Sequence, residues 1–219
     1  MIMKMALVTF CISICCGFIR AETLTPERKV ELNSIVSKRD PNIRIDLPGR
    51  ARYVGSDRWH LFGVADCEVH VFIQADEKKT VQSFYWIQFE GYLPEKPNQR
   101  YDYTKDREIV IDGLEFRLKA RFGPTSEKPK AGSDLARVLK LIAGGGYKLP
   151  ADMMNVRLVY LPDSSRRKEL LVIYAEDMAS TGYSSTDLMA GEKVRPEWVG
   201  IEGALIERAK KQIRFHLQK

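Results

Sequence analysis

Cysteine, histidine and long apolar runs are scarce in this chain, and each scarcity excludes something. Of four cysteines, Cys11, Cys15 and Cys16 lie within the first sixteen residues, which leaves Cys67 alone in the remainder. A single thiol closes no internal disulfide, so once the N-terminal segment is gone the fold must stand on its hydrophobic core. Paired C-x-x-C motifs, an H-E-x-x-H helix and a G-x-S-x-G elbow are absent, which removes the commonest zinc-site and serine-hydrolase signatures. The uncharged, largely apolar run Met5 to Ile19 is fifteen residues long, short of the ~20 that a spanning helix needs. Internal repeats, low-complexity tracts and a boundary between two domains are also missing.

What the chain does have is a leader. Lys4, the apolar run and then Ile19-Arg20-Ala21 make the three-part layout of a secretory signal peptide cleaved after Ala21. The alternative is an uncleaved N-terminal anchor. Lipidation of Cys11, Cys15 or Cys16 is the weaker reading, because Phe10, Ile14 and Cys15 stand where a small residue is wanted. Cleavage leaves 198 residues, ample for one domain, and lowers the net charge from +6 to +4. It also implies a periplasmic or secreted protein, in which a lone Cys67 is either buried or paired with another molecule. The basic cluster Arg166-Arg167-Lys168 falls at an expected hairpin tip and has no nucleic-acid motif behind it, so solvated surface is the better reading. The basic residues Arg208, Lys210, Lys211 and Arg214 suit the end of a helix.

Residues 1–21 are thus read as signal peptide, 22–50 as an N-terminal helix and connector, and 51–219 as an α+β domain. Thr25-Pro26 starts the first helix, with Val30, Leu32, Ile35 and Val36 as its apolar face. From Ala51 the chain turns β, with Cys67, Val69, Val71 and Ile73 on one face of a strand and Glu68, His70 and Phe72 on the other. In the run Val81 to Glu90 both faces carry bulk, which predicts a central strand covered on both sides. Asp112-Gly113 predicts a type I′ hairpin leading into the alternation Leu114, Phe116, Leu118, Ala120, Phe122. Ser133 caps a helix through Leu135, Val138, Leu139 and Ile142 that Gly144 stops. Two strands, 155–161 and 169–175, precede a loop, and Pro196 opens a last helix with the stripe Trp198, Ile201, Leu205, Ala209, Ile213.

The segment Asp66-Cys67-Glu68-Val69-His70 is the first place to look for chemistry. Cys67 and His70 point to opposite faces, a poor geometry for a nucleophile pair. Glu68 and His70 share a face, and His60 on the preceding strand joins them if the register allows, making an acid/imidazole cluster able to shuttle protons or hold a metal. The plainer reading, which we prefer, puts Cys67 in the core and makes His70 a half-exposed strand residue, since no metal-ligand spacing supports the cluster. Gly144-Gly145-Gly146 follows a helix rather than preceding one, so it is a stop and not a phosphate loop. Tyr101 and Tyr103, with Trp59 and Trp86, are candidates to line a pocket, although strand aromatics are more often core. Glu176-Asp177 reads as a solvated strand end.

The stretches Tyr85-Trp86-Ile87-Gln88-Phe89-Glu90-Gly91-Tyr92-Leu93-Pro94 and Leu171-Val172-Ile173-Tyr174-Ala175-Glu176-Asp177 resemble those of uncharacterised exported proteins of Gram-negative bacteria. The resemblance extends over most of the mature chain. It implies an envelope or secreted setting and brings no catalytic residues. The expectation is a single α+β domain, a mainly antiparallel sheet of about six or seven strands with helices packed on it. The expected function is binding or accessory: a sheet face or the 91–104 loop holds a small ligand or an envelope protein. The alternative is a hydrolase-type enzyme built on Glu68 and His70 with His60. No cofactor, metal, nucleic-acid partner or membrane span after cleavage is expected.

Overall fold

The computed structural model describes residues 24–218, and the signal peptide expected over 1–21 lies outside them. Three short strands come first, β1 (Lys29–Glu31), β2 (Ser34–Lys38) and β3 (Asn42–Asp46). Longer ones follow: β4 (Arg52–Leu61), β5 (Ala65–Ala75), β6 (Val81–Tyr92), β7 (Arg107–Ile111) and β8 (Leu114–Pro124). Helix α1 (Asp134–Gly144) leads to β9 (Asp152–Tyr160) and β10 (Lys168–Asp177). A 3-10 turn at Met178–Thr181, a small hairpin of β11 (Met189–Ala190) and β12 (Lys193–Val194), helix α2 (Glu197–Gln212) and β13 (Arg214–Leu217) complete the described chain.

Seven antiparallel strands form the main sheet in the order β4-β5-β6-β10-β9-β8-β7, and a second sheet runs β1-β2-β3-β13. Among the described residues, thirteen strands in three sheets against two α-helices make this a β-rich fold, which corrects the α+β arrangement of a sheet covered by helices. The reason lies in the first fifty residues, where the expected helix and connector are three strands. Leu32 belongs to no helix face: it sits at φ 55 in the tight turn between β1 and β2, with its side chain in solvent. Val30, Ile35 and Val36 are β-branched, and that preference for extended backbone prevails over their helix-like spacing. Ile43 and Ile45 alternate inward on β3.

One face of the main sheet is therefore covered largely by the second sheet. Ile35, Ile43, Ile45 and Phe215 share a buried cluster with Phe72, Tyr85, Ile87 and Phe116, and Trp198 and Leu205 of α2 complete it. On the opposite face Cys67, Val69, Val71, Phe84 and Trp86 pack with Val138 and Ile142 of α1. Strand β6 feeds both clusters, as its bulky faces predict. The Ser133 side chain accepts from Ala136 N–H at the start of α1. At the β7–β8 turn, Asp112 (φ 49) and Gly113 (φ 81) adopt the expected positive φ values. The Asp112 carboxylate then accepts Phe215 N–H at 2.9 Å and anchors β13 beside β3. Ile213, expected as the last residue of the helical stripe, is instead the extended residue that links α2 to that strand. Among the described residues, no helix is long and apolar enough to cross a membrane.

Candidate functional site

Strand β5 brings Glu68 and His70 together on the face turned toward the second sheet, His70 Nε2 lying 2.9 Å from Glu68 Oε1. Each is only 1% exposed, so His70 is a buried residue rather than a half-exposed one. Glu68 is also fully occupied. Its Oε1 accepts Arg28 N–H at 2.7 Å, and its Oε2 accepts Glu27 N–H at 2.8 Å and Arg28 Nη1 at 3.1 Å. Burial works to raise the Glu68 pKa, but the His70 and Arg28 hydrogen bonds and charges outweigh it and hold the carboxyl below its ordinary value. A carboxylate accepts only, so His70 Nε2 donates and Nδ1 faces the Tyr53 hydroxyl, 3.5 Å away. The pair fastens the segment ahead of β1 to the main sheet.

His60 does not join the cluster. It lies opposite Asp66 near the end of β4, exposed, and Asp66 is taken by Arg58 through Nε at 3.0 Å and Nη2 at 2.7 Å. Cys67 faces the other way into the α1 cluster, where burial and the Glu90 charge push its thiol well above the usual range. Neither supplies a nucleophile.

Tyr101 and Tyr103 sit in the 93–106 loop and act as bolts. The Tyr101 hydroxyl donates to Glu90 Oε1 at 2.8 Å, and the Tyr103 hydroxyl donates to Glu169 Oε2 at 2.7 Å. Glu90 on β6 and Glu169 on β10 are directly opposed across the sheet. Gln88 Nε2 donates to Glu90 Oε2 at 2.8 Å, and Gln88 Oε1 receives Trp86 Nε1–H at the same distance. Burial first, and the Glu90 charge second, push the Glu169 carboxyl up to about 8. The same two causes raise Asp134, at the start of α1, to about 6. Arg157 lies 5.0 Å from the Tyr103 ring centre. Arg167, expected as solvated surface, donates to the carbonyls of Lys96 at 2.7 Å, Tyr92 at 3.2 Å and Leu93 at 3.0 Å. Glu169 is 3% exposed, whereas Glu90 and Asp134 are half-buried, and Glu90 borders a hollow of about 320 Å³ together with Arg28, Asp66 and Glu68.

A wider cleft lies at the other end of the sheet. A cleft of about 670 Å³ separates α2 from the ends of β5, β6 and β10. Gly200 and Ala204, one helical turn apart on α2, keep it wide, and Arg208 and Gln212 continue that face. Arg208 holds Glu176 through Nε at 2.8 Å and Nη2 at 2.7 Å, and Tyr174 donates to the same carboxylate. Gln74 Nε2 donates to the Tyr85 hydroxyl at 2.8 Å, which reaches Gln212 Oε1 at 3.4 Å. A second hollow of about 620 Å³ continues from the cleft across Arg50, Gln74 and Gln82. The sequence hints at this cleft only through the four-residue spacing of Gly200, Ala204, Arg208 and Gln212. Among the described residues no three His, Cys, Asp or Glu side chains gather to hold a metal ion. Compared with known protein families, curated proteins and solved structures, the chain matches none.

Proposed function

We propose that this is an exported protein that works by binding, and that the cleft beneath α2 holds a small polar ligand. The observation that carries the reading is the cleft itself: its 670 Å³ lies within the volume range of small-molecule sites. Side chains from β5, β6, β10, the 3-10 turn and α2, with Arg50 ahead of β4, converge on it with hydrogen-bonding capacity left over. Export rests on the leader, Lys4 with the apolar run to Ile19 and the small Ala21. The envelope setting follows the resemblance carried by residues 85–94 and 171–177. The hydrolase alternative at Glu68 and His70 loses support because every Glu68 lone pair is committed and His70, 1% exposed, turns its one free ring nitrogen to the Tyr53 hydroxyl, out of reach of a substrate.

The test is native mass spectrometry of protein isolated gently from the envelope fraction of its own host. A bound small molecule is expected, released on denaturation and absent from an Ala204→Trp variant whose indole fills the cleft. A chain that carries nothing, and whose Tm does not move across a panel of polar metabolites, overturns the reading. The same spectrum reports the N-terminus: Glu22 is expected first, and a retained Met1 overturns export by cleavage.

A further inference from the structure

The groups lining the cleft divide sharply into those already committed and those left over. Glu176, the most central carboxylate, is neutralised by Arg208 and also accepts the Tyr174 hydroxyl. Asp177 turns one oxygen to Ala179 N–H at 2.9 Å to cap the 3-10 turn. Thr181 donates to Met178 O at 2.7 Å and Ser180 to Asp177 O at 3.1 Å. Among the described residues these bonds occupy all four Glu176 acceptor positions and leave Asp177 Oδ2 as the free carboxylate oxygen in the cleft.

What remains is donor-rich. Arg50 makes no side-chain hydrogen bond or ion pair among the described residues, and it lies where the two hollows meet. Arg52 beside it lines the second hollow and is likewise without a partner among those residues. Arg208 keeps Nη1 after its two bonds to Glu176, and Gln212 keeps its whole amide NH₂. Exposed guanidinium groups held at a cleft match the geometry of carboxylate and phosphate oxygens. The oxygens of Gln74 and Gln82 suit ligand hydroxyl donors instead.

We propose that the cleft takes a polyhydroxylated ligand bearing an oxyanion, a sugar acid or a sugar phosphate. Arg50 is its anion contact, and the Gln74 and Gln212 amides meet its hydroxyls. This rests on the cleft being the ligand site, and the experiment separates the two claims. The mature chain is titrated calorimetrically with glucuronate, glucose 6-phosphate and glucose, in parallel with the variants Arg50→Ala and Ala204→Trp. Both variants alter exposed positions, and an unchanged melting curve checks that they fold.

The expected result is binding of one or both anions, glucose at least about tenfold weaker, since a charge-assisted bond is worth roughly one to two factors of ten. Arg50→Ala abolishes that preference, and Ala204→Trp abolishes binding. The stronger of the two anions identifies carboxylate or phosphate as the group recognised. Glucose binding as tightly as the anions, blocked by Ala204→Trp but untouched by Arg50→Ala, overturns the oxyanion assignment and leaves the cleft as a site. Anion binding that survives Ala204→Trp overturns both. No binding of any probe overturns the oxyanion assignment, while native mass spectrometry judges the cleft independently.

Discussion

Replacing Glu169 by glutamine should make the protein more stable at high pH and no less stable at low pH. Glu169 keeps its proton up to about pH 8, while the same carboxyl in the unfolded chain releases it near 4.5. Below 4.5 both states hold the proton and the group is neutral in the comparison. Between 4.5 and 8 the unfolded chain gains by ionising and the folded chain does not, so stability falls as pH rises and the loss is complete above 8. At about 1.4 kcal/mol for each pH unit, that interval corresponds to roughly 4–5 kcal/mol at pH 9. The substituted amide retains an oxygen to accept the Tyr103 hydroxyl and turns its NH₂ toward the Glu90 carboxylate opposite. Urea denaturation from about pH 5 to pH 9 is the assay. The two proteins should match near pH 5 and diverge steadily until Glu169→Gln leads by about 3–5 kcal/mol at pH 9. Asp134, raised to about 6, titrates in both and cancels from the difference. Parallel stability curves across this range would refute the claim that Glu90 and burial hold the Glu169 proton.

Glu68→Ala leaves Arg28 and His70 without their carboxylate and should cost roughly 3–5 kcal/mol in urea at pH 7, as breaking a buried ion pair does. Because the folded Glu68 carboxyl lies below its ordinary value, its contribution is present above about pH 4.5 and lost as pH falls through the folded pKa. The variant should therefore show a shallower acid-unfolding curve; one superimposable on the parent refutes the tether. Gly113→Ala forces a side chain to φ 81 and should lower stability by roughly 1–2 kcal/mol, against no change if the turn were not left-handed. Cys67 should resist a thiol reagent at pH 8 until guanidinium unfolds the chain, then react once; fast reaction of the native protein contradicts its burial. Arg167→Ala removes the donor shared by four carbonyls between residues 92 and 99, and trypsin should cut after Arg100 several times faster at unchanged global stability. Equal cutting rates argue that the loop needs no such hub.

Local signals were legible in the sequence, and long-range ones were not. Asp112-Gly113 and Ser133 announce their turn and cap because each acts on residues within four positions of itself. The alternation on β5 and β8 shows which side chains go inward, since a strand reports its own buried face. The short strands β2 and β3 carry no such message: five apolar-containing residues fit one helical turn as well as a strand. Strands β1, β2 and β3 pair locally in sequence, and β13 adds a second partner for β3 from the far end of the chain. Ile213 illustrates the same limit, four residues after Ala209 and so in phase with the helix, yet drawn into extended backbone by a partner the spacing does not contain. Glu68 was a visible candidate, but the two N–H groups that occupy it come from some forty residues away. The opposition of Glu90 and Glu169 depends on the pairing of two strands from different hairpins, and nothing near either residue specifies it.

The distribution of committed and uncommitted groups supports the proposed binding role. Glu68 and the Glu90–Glu169 pair lie on opposite faces of adjoining strands, yet both do the same work at the same end of the sheet. Each accepts donors from a segment that has no strand partner there, Glu27–Arg28 on one face and the 93–106 loop on the other. Ionisable groups used in this way are expensive to bury, and they persist because removing one would strand its partners. At the opposite end, Glu176 meets only Tyr174 and Arg208, which leaves no loop closed over the cleft. Most of the polar atoms left over there belong to arginines and glutamines, and neither type takes or gives a proton at neutral pH. Such groups suit the proposed recognition of a ligand by charge and hydrogen-bond geometry. The acids at one end of the sheet are thus largely tied up in internal bonds, and the free donors at the other end fit the proposed binding role.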